Sequence, residues 1–313
     1  GTAPNLSFVR ILETQFPNAP EINFSNWFVY AIPITLIMFV VLYFYLHFIF
    51  VRKKTDWKNI GKEELQREYK KLGKPNREEV ILIIAFVTMT LLWFTRSDIQ
   101  IGALVIPGWS NLFEHPEYFN DGTVAIFIAS ILFLIPSKTE ERSMLMDWET
   151  AGKIPWGIIL LFGGGFALAS GFKSSGLDLW FGQQLYFLKG VHPLLLILCI
   201  TFLITFLTEV TSNTATVETF LPILAGLAMS IEVNPLLFMI PATIAGSMAF
   251  MLPVATPPNA LVFGTKRLRV AQMARTGLVL NLIAIAVISL VSYFYGGEIL
   301  GIDPNEFPDW ANP

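Results

Sequence analysis

Leu252-Pro253-Val254-Ala255-Thr256-Pro257-Pro258-Asn259 stands within residues 233–265, a stretch without Lys, Arg, Asp or Glu. As one helix it would be about 50 Å long, against an apolar bilayer core of about 30 Å. The three prolines remove backbone donors and disfavour helical geometry in the residues before them. This spacing predicts a membrane span broken at its centre, with Thr256 and Asn259 at depth.

The composition points the same way. Of 313 residues, 54% are hydrophobic and 14% charged, with a mean hydropathy of +0.58. A soluble domain carries about 25% charged residues. The balance excludes a cytosolic enzyme, a disordered chain and a soluble nucleic-acid binder. A net charge of −3 offers no basic field to nucleic acid. Cys199 is the single cysteine, and His47, His115 and His192 are scattered, so neither a disulfide nor a metal cluster is expected. The expected class is an all-α polytopic protein of the lipid bilayer. The text opens at Gly1 in mid-motif and without a charged leader, so we read it as part of a longer chain.

Charge-free stretches mark the other spans at residues 27–50, 80–95, 122–137, 154–172, 190–208, 219–231 and 276–297. Residues 219–231 are too short to cross comfortably. They follow 190–208 after a polar knot, Glu209-Val210-Thr211-Ser212-Asn213-Thr214-Ala215-Thr216. The pair reads as a re-entrant hairpin with its tip at membrane depth, or as two short spans. Basic residues favour the hairpin. If 190–231 enters and leaves on one side, residues 51–79, 138–153 and 266–275 share a side and hold 17 of the 21 Lys and Arg. That side is the cytoplasm, and the acidic C-terminal tail lies outside. Residues 61–72 read as a short interfacial helix with Leu65, Tyr69 and Leu72 on one stripe.

Residues 1–5, Gly-Thr-Ala-Pro-Asn, echo residues 255–259, Ala-Thr-Pro-Pro-Asn. In the orientation above the two copies leave in opposite senses, as in inverted-repeat secondary transporters with broken helices. The polar groups expected at depth are Thr208, Glu209, Thr211, Ser212, Asn213, Thr214, Thr216 and Glu218, with Thr256, Asn259, Thr2 and Asn5. None is basic. Half-helix amides with hydroxyl and amide side chains suit an anion, and unwound carbonyls suit a bare cation. A dianion here needs its charge balanced elsewhere, and co-bound Na+ is the economical solution. Glu209 and Glu218 flank the tip and are expected to hold it by accepting from loop amides; a cation ligand or proton carrier is the alternative. Gly163-Gly164-Gly165 predicts close helix packing.

Rival chemistries lack their residues. His-Glu-x-x-His, a buried Asp pair and Gly-x-Ser-x-Gly are all missing, so the chain reads as a non-enzyme. An anion channel stays open as an alternative, although a pore usually offers a ring of like groups.

Ser212-Asn213-Thr214 in a hairpin, Ala255-Thr256-Pro257-Pro258-Asn259 in a broken span, and residues 161–169 (Leu-Phe-Gly-Gly-Gly-Phe-Ala-Leu-Ala) resemble the divalent anion/sodium symporter family of sodium–dicarboxylate and sodium–citrate cotransporters. The resemblance runs along essentially the whole chain. It implies that this is the C-terminal two-thirds of a transporter built of two inverted repeats, working by an elevator motion as a homodimer. It implies substrate carboxylates at Ser212, Asn213, Thr214, Thr256, Pro257 and Thr2. It implies one Na+ at Thr208, Thr211, Asn213 and Ala255, and a second at the Gly1 carbonyl with residues upstream. The organisation it implies is 1–51 as the end of the first repeat, 52–79 as a cytoplasmic linker, and 80–189 as scaffold spans with an interfacial arm. Residues 190–271 then form the transport site, and 272–313 the last span and external tail. Candidate substrates are succinate, malate, fumarate, 2-oxoglutarate, citrate and sulfate, by symport or exchange.

Overall fold

Asparagine caps mark where several of the apolar helices begin. In the computed structural model, which describes residues 2–51, 62–101, 104–138, 144–304 and 306–312, the helices run in chain order. They are α1 (Ala3–Gln15), α2 (Phe24–Leu46), α3 (Lys62–Lys71), α4 (Arg77–Phe94), α5 (Asp121–Leu132), α6 (Trp148–Ala151), α7 (Trp156–Ser175) and α8 (Leu177–Gln184). Then follow α9 (Pro193–Thr208), α10 (Asn213–Ile231), α11 (Leu236–Ala245), α12 (Pro257–Gly264) and α13 (Val270–Leu300). A two-stranded antiparallel hairpin, β1 (Ile99–Ile101) and β2 (Leu104–Ile106), stands between α4 and α5. Asn23, Asn76 and Asn120 each accept from a first-turn amide of α2, α4 and α5, and Asn76 forms a reciprocal capping box with Glu79.

Among the described residues, four segments are long and apolar enough to cross a bilayer: Phe24–Ile49, Trp156–Ser175, Asn213–Ile231 and Val270–Gly297. Leu36, Phe39, Ile83, Phe86, Ile126 and Leu160 are all more than half exposed. Apolar faces of that extent require lipid rather than water. This is a mostly helical membrane protein.

The chain divides into two compact units. One comprises residues 23–28 and 43–155. There Arg96, 5% exposed, donates to Asp121 Oδ1 and the Phe119 carbonyl, each at 2.9 Å, and Phe24 and Phe28 pack edge-on to Phe94. The other comprises residues 1–22, 29–42 and 156–313. Its core is α10 and α11; every residue of α11 is buried. α1, α7 and α8 pack around α10, while α9 and α13 pack on each other and on α11. Thr201 of α9 bonds Ser289 of α13 at 3.0 Å, and Tyr30 of α2 bonds Ser292 of α13 at 2.7 Å. The division falls at 155/156, inside the 80–189 segment of the sequence reading, because α7 and α8 lie against α10.

Three local expectations change. The long stretch is broken, but across residues 246–256, with only Pro253 of the three prolines inside the break; Pro257 and Pro258 open α12. Proline is tolerated at a helix start, where its missing N–H would lack a partner anyway. The helix after the polar knot is 19 residues, not the 13 of its charge-free part, because α10 begins at Asn213 and runs through Glu218. Of the glycine run, Gly165 is closely packed, whereas a Cβ at Gly163 or Gly164 would meet open space. In the stripe on α3, Tyr69 and Leu72 are exposed; the Leu65 side chain and residue 61 lie outside the described set.

Candidate functional site

Two helices begin at one place. Thr2, the N-cap of α1, lies 2.7 Å from Ser247 Oγ, hydroxyl to hydroxyl. Ser247 follows Gly246, whose carbonyl accepts from Thr208 Oγ1 at 3.1 Å. The same Thr208 hydroxyl bonds Asn213 Oδ1, the first residue of α10. Thr2, Ser247, Gly246, Thr208 and Asn213 therefore form one connected set, built from the starts of α1 and α10, the end of α9 and the break after α11.

The helix starts here are uncapped. Thr2, Ser212 and Thr256 are the N-cap residues of α1, α10 and α12, all extended, and none of their side chains accepts a hydrogen bond from its own first turn. The first amides of α10 thus keep their donor capacity and the positive end of the helix dipole. Thr2 and Thr256 hold the same position before a helix whose second residue is proline, Pro4 and Pro258, and whose third is asparagine, Asn5 and Asn259.

The break is held open by side chains. Glu209, 3% exposed, accepts from the amides of Met251 at 2.8 Å and Leu252 at 2.9 Å, and from Asn281 Nδ2 at 2.7 Å. Asn259 Nδ2 donates to the carbonyls of Ala249 and Leu252. α13 approaches through Gly277, where a Cβ would stand 2.2 Å from the Phe250 carbonyl oxygen. Glu209 thus holds the broken span rather than its own tip. Glu218 accepts instead from Ser7 on α1.

Of the residues the sequence singled out, Thr2, Thr208 and Asn213 come together. Thr214 is buried in the first turn of α10, and Ser212 is exposed before it. Thr211 donates to the Leu207 carbonyl and meets Thr216, tightening the tip. Ala255 is buried, Thr256 half-buried and Pro257 exposed at the start of α12; among the described residues no hydrogen bond joins them to α10. Gly1 lies outside the described residues. Ser247 was missed, and its local signal was the Gly246-Ser247 pair directly after a helix in which Thr243 is the one polar residue.

Residues 1–302 match the family model described as "Sodium:sulfate symporter transmembrane region". The chain belongs to this family. It is 42% identical over 308 residues to "Sodium-dependent dicarboxylate transporter SdcS" of Staphylococcus saprophyticus, an alignment covering 97% of this chain and 56% of that one. It is 38% identical to "Na(+)/citrate cotransporter" of Rattus norvegicus, covering 100% of this chain and 59% of the relative. It is 40% identical to "Na(+)/dicarboxylate cotransporter 3" of Mus musculus, covering 100% and 55%. The chain spans a little over half the length of these relatives. Membership in a symporter family agrees with the resemblance drawn from Ser212-Asn213-Thr214 and the broken span.

Proposed function

We propose that this protein belongs to a sodium-coupled secondary transporter of dicarboxylates, succinate, malate and fumarate foremost. The observation that carries the reading is the meeting of the uncapped α1 and α10 starts, through Ser247 and Thr208, in a setting of hydroxyl and amide side chains. Helix N-termini attract an anion without a formal positive charge, and carbonyls of the break attract a cation. A dianion and Na+ balance each other there. The relatives are named for sodium together with dicarboxylate or citrate.

In this reading substrate carboxylates meet Ser212, Asn213, Thr214, Thr256, Pro257 and Thr2. One Na+ sits at Thr208, Thr211, Asn213 and Ala255, and another at the Gly1 carbonyl. Residues 190–231 act as a re-entrant hairpin within an inverted repeat, and 190–271 form the transport site of an elevator-type homodimer with its C-terminus outside. Two observations support this. Lys189 and Glu232, at the two ends of α9–α10, form an ion pair at 3.0 Å. Thr2-Ala3-Pro4-Asn5 and Thr256-Pro257-Pro258-Asn259 open helices in the same register. Inorganic sulfate is the second reading, favoured by the description of the family model.

The test is uptake of labelled succinate by the whole protein in proteoliposomes, with and without an inward Na+ gradient, against competing sulfate and citrate. Uptake that ignores the Na+ gradient overturns the coupling. Sulfate uptake unaffected by succinate favours the second reading.

A further inference from the structure

Ser7 and Glu218 lie 211 residues apart in sequence, and Ser7 Oγ donates to Glu218 Oε1 at 2.7 Å. Both are buried, at 0% and 2% exposure. The second carboxylate oxygen lies flat on α7: a Cβ at Gly165 would stand 2.0 Å from Oε2 and 2.8 Å from Cγ. Three helices therefore meet at one carboxylate.

The position of this contact gives it meaning. Ser7 is five residues into its helix from Thr2, and Glu218 is five residues on from Asn213. Each partner thus lies about 7.5 Å along its helix from the candidate site. α1 and α10 start together at Ser247 and Thr208, and are tied again at the same depth. They descend side by side in one direction, and the rung between them fixes how far apart their starts stand.

We propose that the Ser7–Glu218 hydrogen bond, seated on Gly165, is a positioning device that sets the spacing of the α1 and α10 starts and so the shape of the anion site. It deepens the proposed function and rests on it. Glu218 acts here through α10 and touches no substrate. Gly165 is part of the device because any side chain there displaces the carboxylate from Ser7. One small side chain, one long one and a bare glycine, on three helices, converge with no slack.

The test uses the whole protein with spin labels at Leu6→Cys on α1 and Val210→Cys before α10, both on exposed positions. Ser7→Ala and Gly165→Ala should each lengthen or broaden the measured distance and weaken apparent succinate affinity about tenfold, the scale of one hydrogen bond to a charged group. Glu218→Gln keeps an acceptor for Ser7 and should hold the wild-type distance. Ser7→Ala, a near-isosteric change, decides the matter if Gly165→Ala fails to fold. Unchanged distance and affinity in monodisperse Ser7→Ala, with only a lower melting temperature, overturns the proposal. If wild-type protein shows no Na+-dependent succinate uptake, the proposed function has failed, and the distance measurement alone still judges the rung.

Discussion

Lys189 Nζ lies 3.0 Å from Glu232 Oε1, so the segment between them returns to where it began. Lys189 directly precedes the turn into α9, and Glu232 ends α10 in a left-handed conformation with φ of 57°. Both side chains are substantially exposed, at 37% and 66%, so the pair reports geometry more than it stabilises.

Proximity of the two ends makes a topological prediction. The double variant Lys189→Cys, Glu232→Cys should be bridged by a bifunctional thiol reagent that spans the length of the replaced ion pair, and each single cysteine should be labelled from the same side of the membrane. Labels at Lys74 and Arg267 should share the cytoplasmic side, with Glu306 opposite. Labelling of Lys74 and Arg267 from opposite faces would mean that residues 190–231 cross an odd number of times.

The same pair carries a pH dependence of known sign. The hydrogen bond to Glu232 holds Lys189 above its ordinary value of 10.5. A raised cation contributes stability below the unfolded value and loses it as pH rises through the folded one. The difference in melting temperature between wild type and Lys189→Gln should therefore stay constant through the neutral range and close only in strong alkali. A difference that changes around neutral pH would mean another group titrates at this contact.

Glu209 offers a stability test. Its carboxylate takes three donors, two of them backbone amides of the break. In Glu209→Gln one oxygen becomes an NH2 that faces a donor, leaving buried N–H groups unpaired at about 1–3 kcal/mol each. The expected result is a clearly lower melting temperature with faster amide exchange at Met251 and Leu252. Wild-type exchange there would show that the break is held by something else.

Much of this was legible in sequence because it is local. Apolar run lengths gave the spans, proline density placed the break to within a few residues, and the polar knot marked the turn between α9 and α10. The start of α10 was not legible: Asn213, Thr214 and Thr216 favour turns as readily as a first helical turn. Nor were the contacts that assemble the site. Thr2 and Ser247 are 245 residues apart, and each is an ordinary polar residue in its own window. Gly165 looked like one of three equivalent glycines until Glu218 was set against it.

The candidate site predicts a split between ligands. Asn213 stands where the α10 start, Thr208 and the break converge, whereas Thr256 opens α12 without, among the described residues, a hydrogen bond to that group. Losing one good hydrogen bond to a charged ligand costs about 1.5–3 kcal/mol, roughly 10- to 150-fold. Asn213→Ala should weaken both Na+ and succinate dependence by that order, and Thr256→Ala mainly succinate. Wild-type affinity for both ligands in monodisperse Asn213→Ala would refute a shared site.

The contact of α13 with the break gives the last prediction. At Gly277 an added Cβ would meet the Phe250 carbonyl oxygen at 2.2 Å, its carbon at 2.4 Å and the Met251 Cα at 2.6 Å. These are backbone atoms, and the amide of Met251 is already committed to Glu209. The strain cannot be relieved by turning a side chain, so α13 or the break must move. Overpacking of this kind costs about 1–3 kcal/mol, more where the backbone resists. Gly171 is the control: it lies within α7, and a Cβ there meets nothing within 4 Å. Gly171→Ala should be neutral, or stabilising by up to about 1 kcal/mol, since glycine is the poorer helix former. Gly277→Ala should lower the melting temperature and, in the folded fraction, loosen exchange at residues 250–252. Equal melting temperatures for the two variants would mean that α13 does not brace the break.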